Sequence, residues 1–161
     1  MLNYSVYTDM KPVLPDGFLI ADPFQKGMEK EYFDLRWRVL REPWLQPRGT
    51  EKDEQEETSF HRMVHTMEGD VVACGRLQLN SPREGQIRYM AVDPRFRNLR
   101  LGAAIIQELE MLATDAGAVQ MVLQARENAV EFYISCGYSV VVKTFLLYDE
   151  IQHFLMTKRL G

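Results

Sequence analysis

The sequence predicts a mixed fold of the α/β (α+β) class: a mostly antiparallel sheet flanked by helices, with a central β-α-β crossover. Three observations predict it. The candidate elements run β, α, three strands, α, β, α, β, β. A hairpin pattern is centred on Glu68-Gly69-Asp70. The strand run Gln86–Val92 leads into an apolar-periodic helix and then into another strand run, as a right-handed parallel crossover requires. The chain has 161 residues, the size of one domain. Residues 1–16, with Pro12 and Pro15, read as an irregular arm, and 17–161 as the domain.

Each element has its own signal. Gly17–Pro23 is a short strand. From Gln25 to Arg41 the residues Met28, Tyr32, Leu35 and Val39 recur at helical spacing with charges between them, and Pro43 ends the helix. Glu42–Glu57 is a long loop rich in proline, glycine and acid, the kind that often carries function. His61–Met67 and Val71–Leu79 form the hairpin, Asn80–Gly85 turns the chain again, and Gln86–Val92 is the next strand. Ile105, Ile106, Leu109, Leu112, Ala113 and Ala116 mark a helix from Gly102 to Ala116, closed by Gly117. Val119–Leu123 is a strand and Glu127–Ser135 a short helix. Tyr138–Val142 and Gln152–Met156 are the last strands.

Composition narrows the function. The formal net charge of -4 argues against a general nucleic-acid binder. No apolar run reaches membrane-spanning length, and the N-terminus lacks the pattern of a signal peptide. The two cysteines, Cys74 and Cys136, lack metal-site spacing and make no disulfide framework. The expectation is a cytoplasmic protein without metal, nucleic-acid or membrane partner, with a homodimer left open.

Against that acidic background stands a basic turn, Val92-Asp93-Pro94-Arg95-Phe96-Arg97-Asn98-Leu99-Arg100-Leu101-Gly102-Ala103. Amides at a helix N-terminus lack intrahelical partners and sit at the positive end of the helix dipole, so they bind anions. Gly102 would allow close approach, and Arg97 and Arg100 could add charge-assisted bonds to phosphate oxygens. A solvated basic loop followed by a packing glycine explains the same residues equally well. Neither the P-loop nor the dinucleotide fingerprint is present.

Met90–Ala103 resembles the acetyl-CoA motif of the GNAT superfamily of N-acetyltransferases, V-x-P-x-x-R-x-x-G-x-G/A before a helix. Val92, Pro94, Arg97 and Gly102 match. A second block, Ala125–Tyr138 (ARENAVEFYISCGY), resembles that family's A-x-x-F-Y-x-x-x-G-F. Leu35–Asp53, His61, Ile87–Val92 and His153–Met156 look like the acetyltransferase half of bacterial bifunctional proteins that carry a hot-dog thioesterase half behind it. The chain stops where that half would begin, so thioesterase activity is not implied. Two departures stand out: Arg100 occupies the family's first motif glycine, and Arg126 stands where many members have asparagine.

The resemblance implies a GNAT fold, acetyl-CoA lying across a splay in the sheet with its pantetheine arm on strand Gln86–Val92, and direct transfer to a primary amine, on a small molecule or a protein. The implied cofactor-binding residues are Met90, Ala91, Val92, Arg97, Asn98, Leu99, Arg100, Leu101, Gly102, Ala103, Arg126, Ala129, Phe132 and Tyr133. Tyr133 matches the tyrosine whose hydroxyl reaches the thioester sulfur, against a plain packing role. Glu51, Asp53 and His61 are the candidate bases, each with a structural alternative, and His153 has the same status as His61. The acidic run Glu51–Glu57 could draw in a cationic amine or be solvated surface. Trp37 and Trp44 line the acceptor pocket or simply pack, packing being the plainer account. Arg36 and Arg38 could meet an anionic substrate, though a solvated or salt-bridged helix face explains them more simply. Two rivals remain: an acyl-CoA-binding module without turnover, and an acyltransferase for longer acyl thioesters.

Overall fold

The computed structural model describes residues 11–161; the first ten residues of the expected N-terminal arm lie outside them. One seven-stranded sheet forms the centre. Its strands are β1 (Phe18–Ala21), β2 (Phe60–Thr66), β3 (Val71–Ser81), β4 (Glu84–Val92), β5 (Gln120–Arg126), β6 (Ser139–Leu147) and β7 (Ile151–Arg159). The spatial order is β1-β2-β3-β4-β5-β7-β6, and every neighbouring pair is antiparallel except β4 and β5. The helices are α1 (Glu29–Leu40), α2 (Leu101–Asp115) and α3 (Val130–Ser135). The element order and the crossover through α2 match the sequence expectation.

Two apolar layers hold the sheet. On one face Ile105, Ile106 and Leu109 of α2 and Tyr133 of α3 pack with Leu77, Ile87, Met121 and Leu123. On the other, Tyr32, Leu35 and Leu40 of α1 pack with Met63, Val71, Cys74 and Ala91. Strand β3 lies between both layers, so its first eight residues are all buried instead of alternating.

The boundaries differ from expectation for local reasons. Helix α1 begins at Glu29 rather than Gln25, because the Asp22 carboxylate accepts the Phe24 amide and closes a turn first. The expected turn Asn80–Gly85 shrinks to Pro82-Arg83: Ser81 pairs with Glu84, and the Asn80 amide donates to Glu84 and Gln86. The short helix Glu127–Ser135 divides into a 3-10 turn, Glu127–Ala129, and α3. Strands β5, β6 and β7 run three to five residues past their expected C-terminal ends, set by cross-strand pairing that no local pattern announces.

The feature that matters for function is a splay. The β4–β5 pairs end at Ile87↔Leu123, so β4 from Arg88 and β5 from Gln124 run on apart. Its cause is a bulge: Cys74 pairs with Ala91 but Arg76 pairs with Arg88, which leaves Tyr89 and Met90 opposite Gly75. Tyr89 takes a left-handed φ of 55° there. Gly75 makes the bulge feasible, since a Cβ would come within 2.6 Å of both Ile105 and Met90.

Candidate active site

The loop from β4 to α2 forms one wall of the splay. Asp93, only 2% exposed, accepts the Arg95 amide and ion-pairs with the Arg95 and Arg38 side chains. Those guanidiniums hold its carboxyl down, at about 2. Beyond this anchor Arg97, Asn98, Leu99 and Arg100 are exposed. The first helical bond of α2 runs from Ala104 to the Arg100 carbonyl, and no side chain caps the helix. The amides of Leu101, Gly102 and Ala103 are therefore open to an anion. Arg97 and Arg100 form no ion pair among the described residues, so both charges are free.

Two motif positions read differently in three dimensions. Arg100, at the family's first motif glycine, adopts φ 61°, a left-handed conformation that favours glycine, and so does Asn98 at φ 64°. An L residue pays roughly 1–2 kcal/mol for it. The Arg100 backbone thus reaches the glycine geometry with its side chain in solvent. Gly102 is needed for packing, since an added Cβ would lie 3.1 Å from Phe132 and 3.5 Å from Val92. Leu101 is buried in the core, Ala103 is half-buried, and Met90 and Ala91 belong to opposite apolar layers.

Phe132, packed on the first turn of α2, brings α3 and Ala129 before it to the open end of β5. Its neighbour Tyr133 is 7% exposed, stands edge-on to Tyr138, and its hydroxyl makes no hydrogen bond among the described residues. Burial pushes its pKa up, against the lowering influence of Arg126. The phenol stays protonated at neutral pH and is a hydrogen-bond donor awaiting an acceptor.

The candidate bases lie in a different setting, built by two arginines with no exposed surface, Arg36 on α1 and Arg76 on β3. Arg36 is buried and ion-paired with Glu56, so of the solvated or salt-bridged face expected from its helix it takes the salt-bridged form. Arg76 grips Asp53 through two bonds of 2.6 and 3.0 Å and reaches Glu56 at 2.9 Å. Arg36 donates to both oxygens of Glu56 and to the Glu51 carbonyl. Arg88 adds a pair to Asp53 at 3.2 Å. The Tyr89 ring stacks against four guanidiniums, nearest Arg36 at 4.2 Å. Burial opposes ionisation of Asp53, but the bonds from Arg76 outweigh it and hold the carboxyl at about 2.

Asp53 is thus a weak proton acceptor. His61 is occupied at both nitrogens: the Tyr32 hydroxyl bonds its Nδ1 at 2.8 Å, and its Nε2 donates to the Glu56 carbonyl at 2.8 Å. Burial keeps it neutral. Glu51 is 6% exposed and accepts the Gly49 amide at 2.6 Å. Glu51, Asp53 and His61 are brought together, but each is already engaged: Asp53 and His61 tie the loop to the sheet, and Glu51 braces the loop internally and against α1.

No sequence signal pointed to Arg41 as a site residue. At the mouth of the splay, Arg41 and Arg126 both donate to the Leu40 carbonyl, at 3.0 and 3.3 Å, and Arg126 lies 4.5 Å over the Trp44 ring. His153, opposite Arg126 in the β5–β7 register, stacks on Phe145 and bonds the Ile151 carbonyl through Nδ1 at 3.0 Å. Trp44 is engaged there, while Trp37 packs under Arg48 and donates to the Gln46 carbonyl. No group of metal-ligating side chains occurs among the described residues, and none of their helices is long and apolar enough to cross a membrane.

Comparison with known proteins gives a consistent picture. The family model described as the acetyltransferase (GNAT) family matches residues 29–138. An uncharacterized N-acetyltransferase, YjcF, of Bacillus subtilis (strain 168) is 33% identical over 129 residues, 80% of this chain and 91% of that protein. Glucosamine 6-phosphate N-acetyltransferase 1 of Dictyostelium discoideum is 26% identical over 140 residues, 80% of this chain and 89% of the other. Among solved structures, an acetyltransferase of the GNAT family from Staphylococcus aureus Mu50 superposes with a TM-score of 0.72 at 15% identity, over 89% of this chain and 99% of that one. An aminoglycoside 6'-N-acetyltransferase complexed with coenzyme A superposes at 0.71 and 13% identity, over 88% and 96%.

Proposed function

The chain belongs to the acetyltransferase (GNAT) family, and from that premise we propose that it transfers an acetyl group from acetyl-CoA to a primary amine by direct attack. The observation that carries this reading is the coincidence of three features on one wall of the splay. They are the open amides of Leu101–Ala103, the free charges of Arg97 and Arg100, and the unbonded hydroxyl of Tyr133 at the open end of β5. The complex of the aminoglycoside 6'-N-acetyltransferase with coenzyme A, on a similar fold, agrees with it.

The residues divide the work. The amides of Arg97 through Ala103 hold the pyrophosphate, with the Arg97 and Arg100 guanidiniums on its oxygens. The free edge of β4 at Met90–Val92 lines up the pantetheine arm. The neutral amine nitrogen bonds to the thioester carbon, the carbon–sulfur bond breaks, the thiolate leaves, and the proton that the nitrogen gives up passes to water, from which the thiolate can take one. Tyr133 stabilises that sulfur as a hydrogen-bond donor. A phenol above its ordinary 10 would lose more than about 2 kcal/mol in handing its proton to a thiolate of pKa near 8.5, so donation without full transfer is the favoured role.

Thiol release from acetyl-CoA, followed over a panel of amines, tests the reading. Amine-dependent release with acetylated product is expected. Tight CoA binding without release by any amine would favour a binding module. Faster release from longer acyl-CoAs would favour the acyltransferase alternative, which the likeness to thioesterase-linked proteins motivates.

A further inference from the structure

We propose that the amine acceptor carries an anionic group, a carboxylate or a phosphate, that binds between Arg41 and Arg126 at the mouth of the splay; this rests on the acetyl-transfer reading. The two guanidiniums lie side by side because they donate to the same carbonyl, that of Leu40. Both are half-buried, and neither forms an ion pair among the described residues. Glu42 and Glu127, next to them in the chain, are exposed and form no ion pair with either. The acids of the adjoining loop, Asp53 and Glu56, are spent on Arg36, Arg76 and Arg88. The C-terminal end of α1 contributes about half an elementary charge, against two full ones.

Unneutralised, half-buried like charges are costly unless an anion joins them. Donors are available for it. Arg41 Nη2 and Arg126 Nε and Nη1 have no hydrogen-bond partner among the described residues. A carboxylate or phosphate is the planar or tripod acceptor that such a fork fits. Trp44 fixes the Arg126 plane from one side. The β6–β7 turn carries Tyr148 in a left-handed conformation at φ 53°, strain of the kind that gathers at ligand sites.

The anion concerned is not the CoA pyrophosphate. Leu123 and Ala125 of β5 face α2 and α3, whereas Arg126, at the alternate position, faces α1, so this residue, cofactor-binding by the family resemblance, is assigned to the acceptor instead. The phosphate cradle at Arg97–Ala103 belongs to the other face. The pair therefore meets the second substrate, on the side from which an amine reaches the splay. The idea that an acidic loop draws in a cationic amine gives way here to the opposite sign.

The test uses acceptors matched except for charge: glucosamine with and without a 6-phosphate, and glycine against glycinamide. The intact protein should favour one charged member at least tenfold in kcat/KM, and the favoured pair tells phosphate from carboxylate. Arg126→Gln should raise KM for that acceptor at least tenfold and leave KM for acetyl-CoA within twofold, and Arg126→Lys should restore part of the loss. A readout free of turnover accompanies it: in a Trp37→Phe background, Trp44 fluorescence is titrated with inorganic phosphate and with acetate. A saturable change lost in Arg126→Gln supports the site. Equal use of charged and neutral acceptors, or the same response in the variant, overturns it. If no amine of either charge is acetylated, the transferase reading falls. The fluorescence titration still decides whether this pair binds an anion.

Discussion

Arg100 holds a backbone conformation that its own side chain opposes. Its φ of 61° is the geometry of a glycine, and the guanidinium makes no ion pair among the described residues. Two effects of opposite sign therefore meet at this residue. Arg100→Gly should stabilise the fold by about 1 kcal/mol by relieving the left-handed strain. It should weaken CoA binding by about 1–3 kcal/mol through the lost bond to a charged phosphate. Thermal unfolding reads the first and calorimetric titration the second. Tighter CoA binding in the variant would mean that the side chain obstructs the cradle. Tyr133 has one burden only. Its hydroxyl has no protein partner to lose, so Tyr133→Phe should leave stability within about 0.5 kcal/mol. Its kcat should fall roughly tenfold or more, as expected when a group bonds the leaving atom. A kcat unchanged in thiol-release kinetics would remove Tyr133 from the chemistry.

At the scale of elements, the acidic loop is a clasp. Glu56 and Asp53 join a helix and a strand through Arg36 and Arg76, which have no exposed surface. Removing one partner leaves a buried charge behind, so Glu56→Ala should cost about 3 kcal/mol in chemical denaturation. The pH response follows from the same pairs. Asp53 is held at about 2 and Glu56 below its usual value, in each case by arginine against the cost of burial. Depressed carboxylates contribute stability that is full above their unfolded values near 4, and it is lost as pH falls toward 2. Melting temperature followed from pH 7 to pH 2.5 should drop most steeply below pH 4. Asp53→Asn should flatten that drop and lower the plateau. The sequence shows the loop's length and charge, but not its use. Arg36 is 20 residues from Glu56 and Arg76 is 20 the other way, and no local pattern encodes which charges meet. The same reasoning explains His61: its residue type suggested a base, while the Tyr32 and Glu56 bonds that occupy it are tertiary.

Over the whole molecule, element order and the crossover were legible because period and turn residues are local signals, as in α2 with Ile105, Ile106 and Leu109 on one face. The β4–β5 splay was expected only through the family resemblance and not from any local pattern, because it follows from a bulge opposite Gly75 that only strand register reveals. The unpaired state of Arg41 and Arg126 was hidden for the same reason: a charge count cannot say which charges are spent. That count still predicts how the molecule meets its ligand. The chain carries a formal charge of -4, so it repels a polyanion such as CoA at long range. Attraction is local, from Arg97 and Arg100, both exposed. Exposed pairs are screened by salt, with a Debye length of about 10 Å at 0.1 M and about 3 Å at 1 M. Two such contacts, each worth about 1 kcal/mol in water at close range, give up roughly half of that on screening. CoA affinity should therefore fall roughly fivefold between 0.05 M and 0.5 M sodium chloride, a loss of about 1 kcal/mol. In Arg97→Gln/Arg100→Gln that salt dependence should vanish or reverse, because only the repulsive net charge is left to screen. An unchanged salt slope in the double variant, measured by titration calorimetry, would show that the pyrophosphate is held by the helix amides alone.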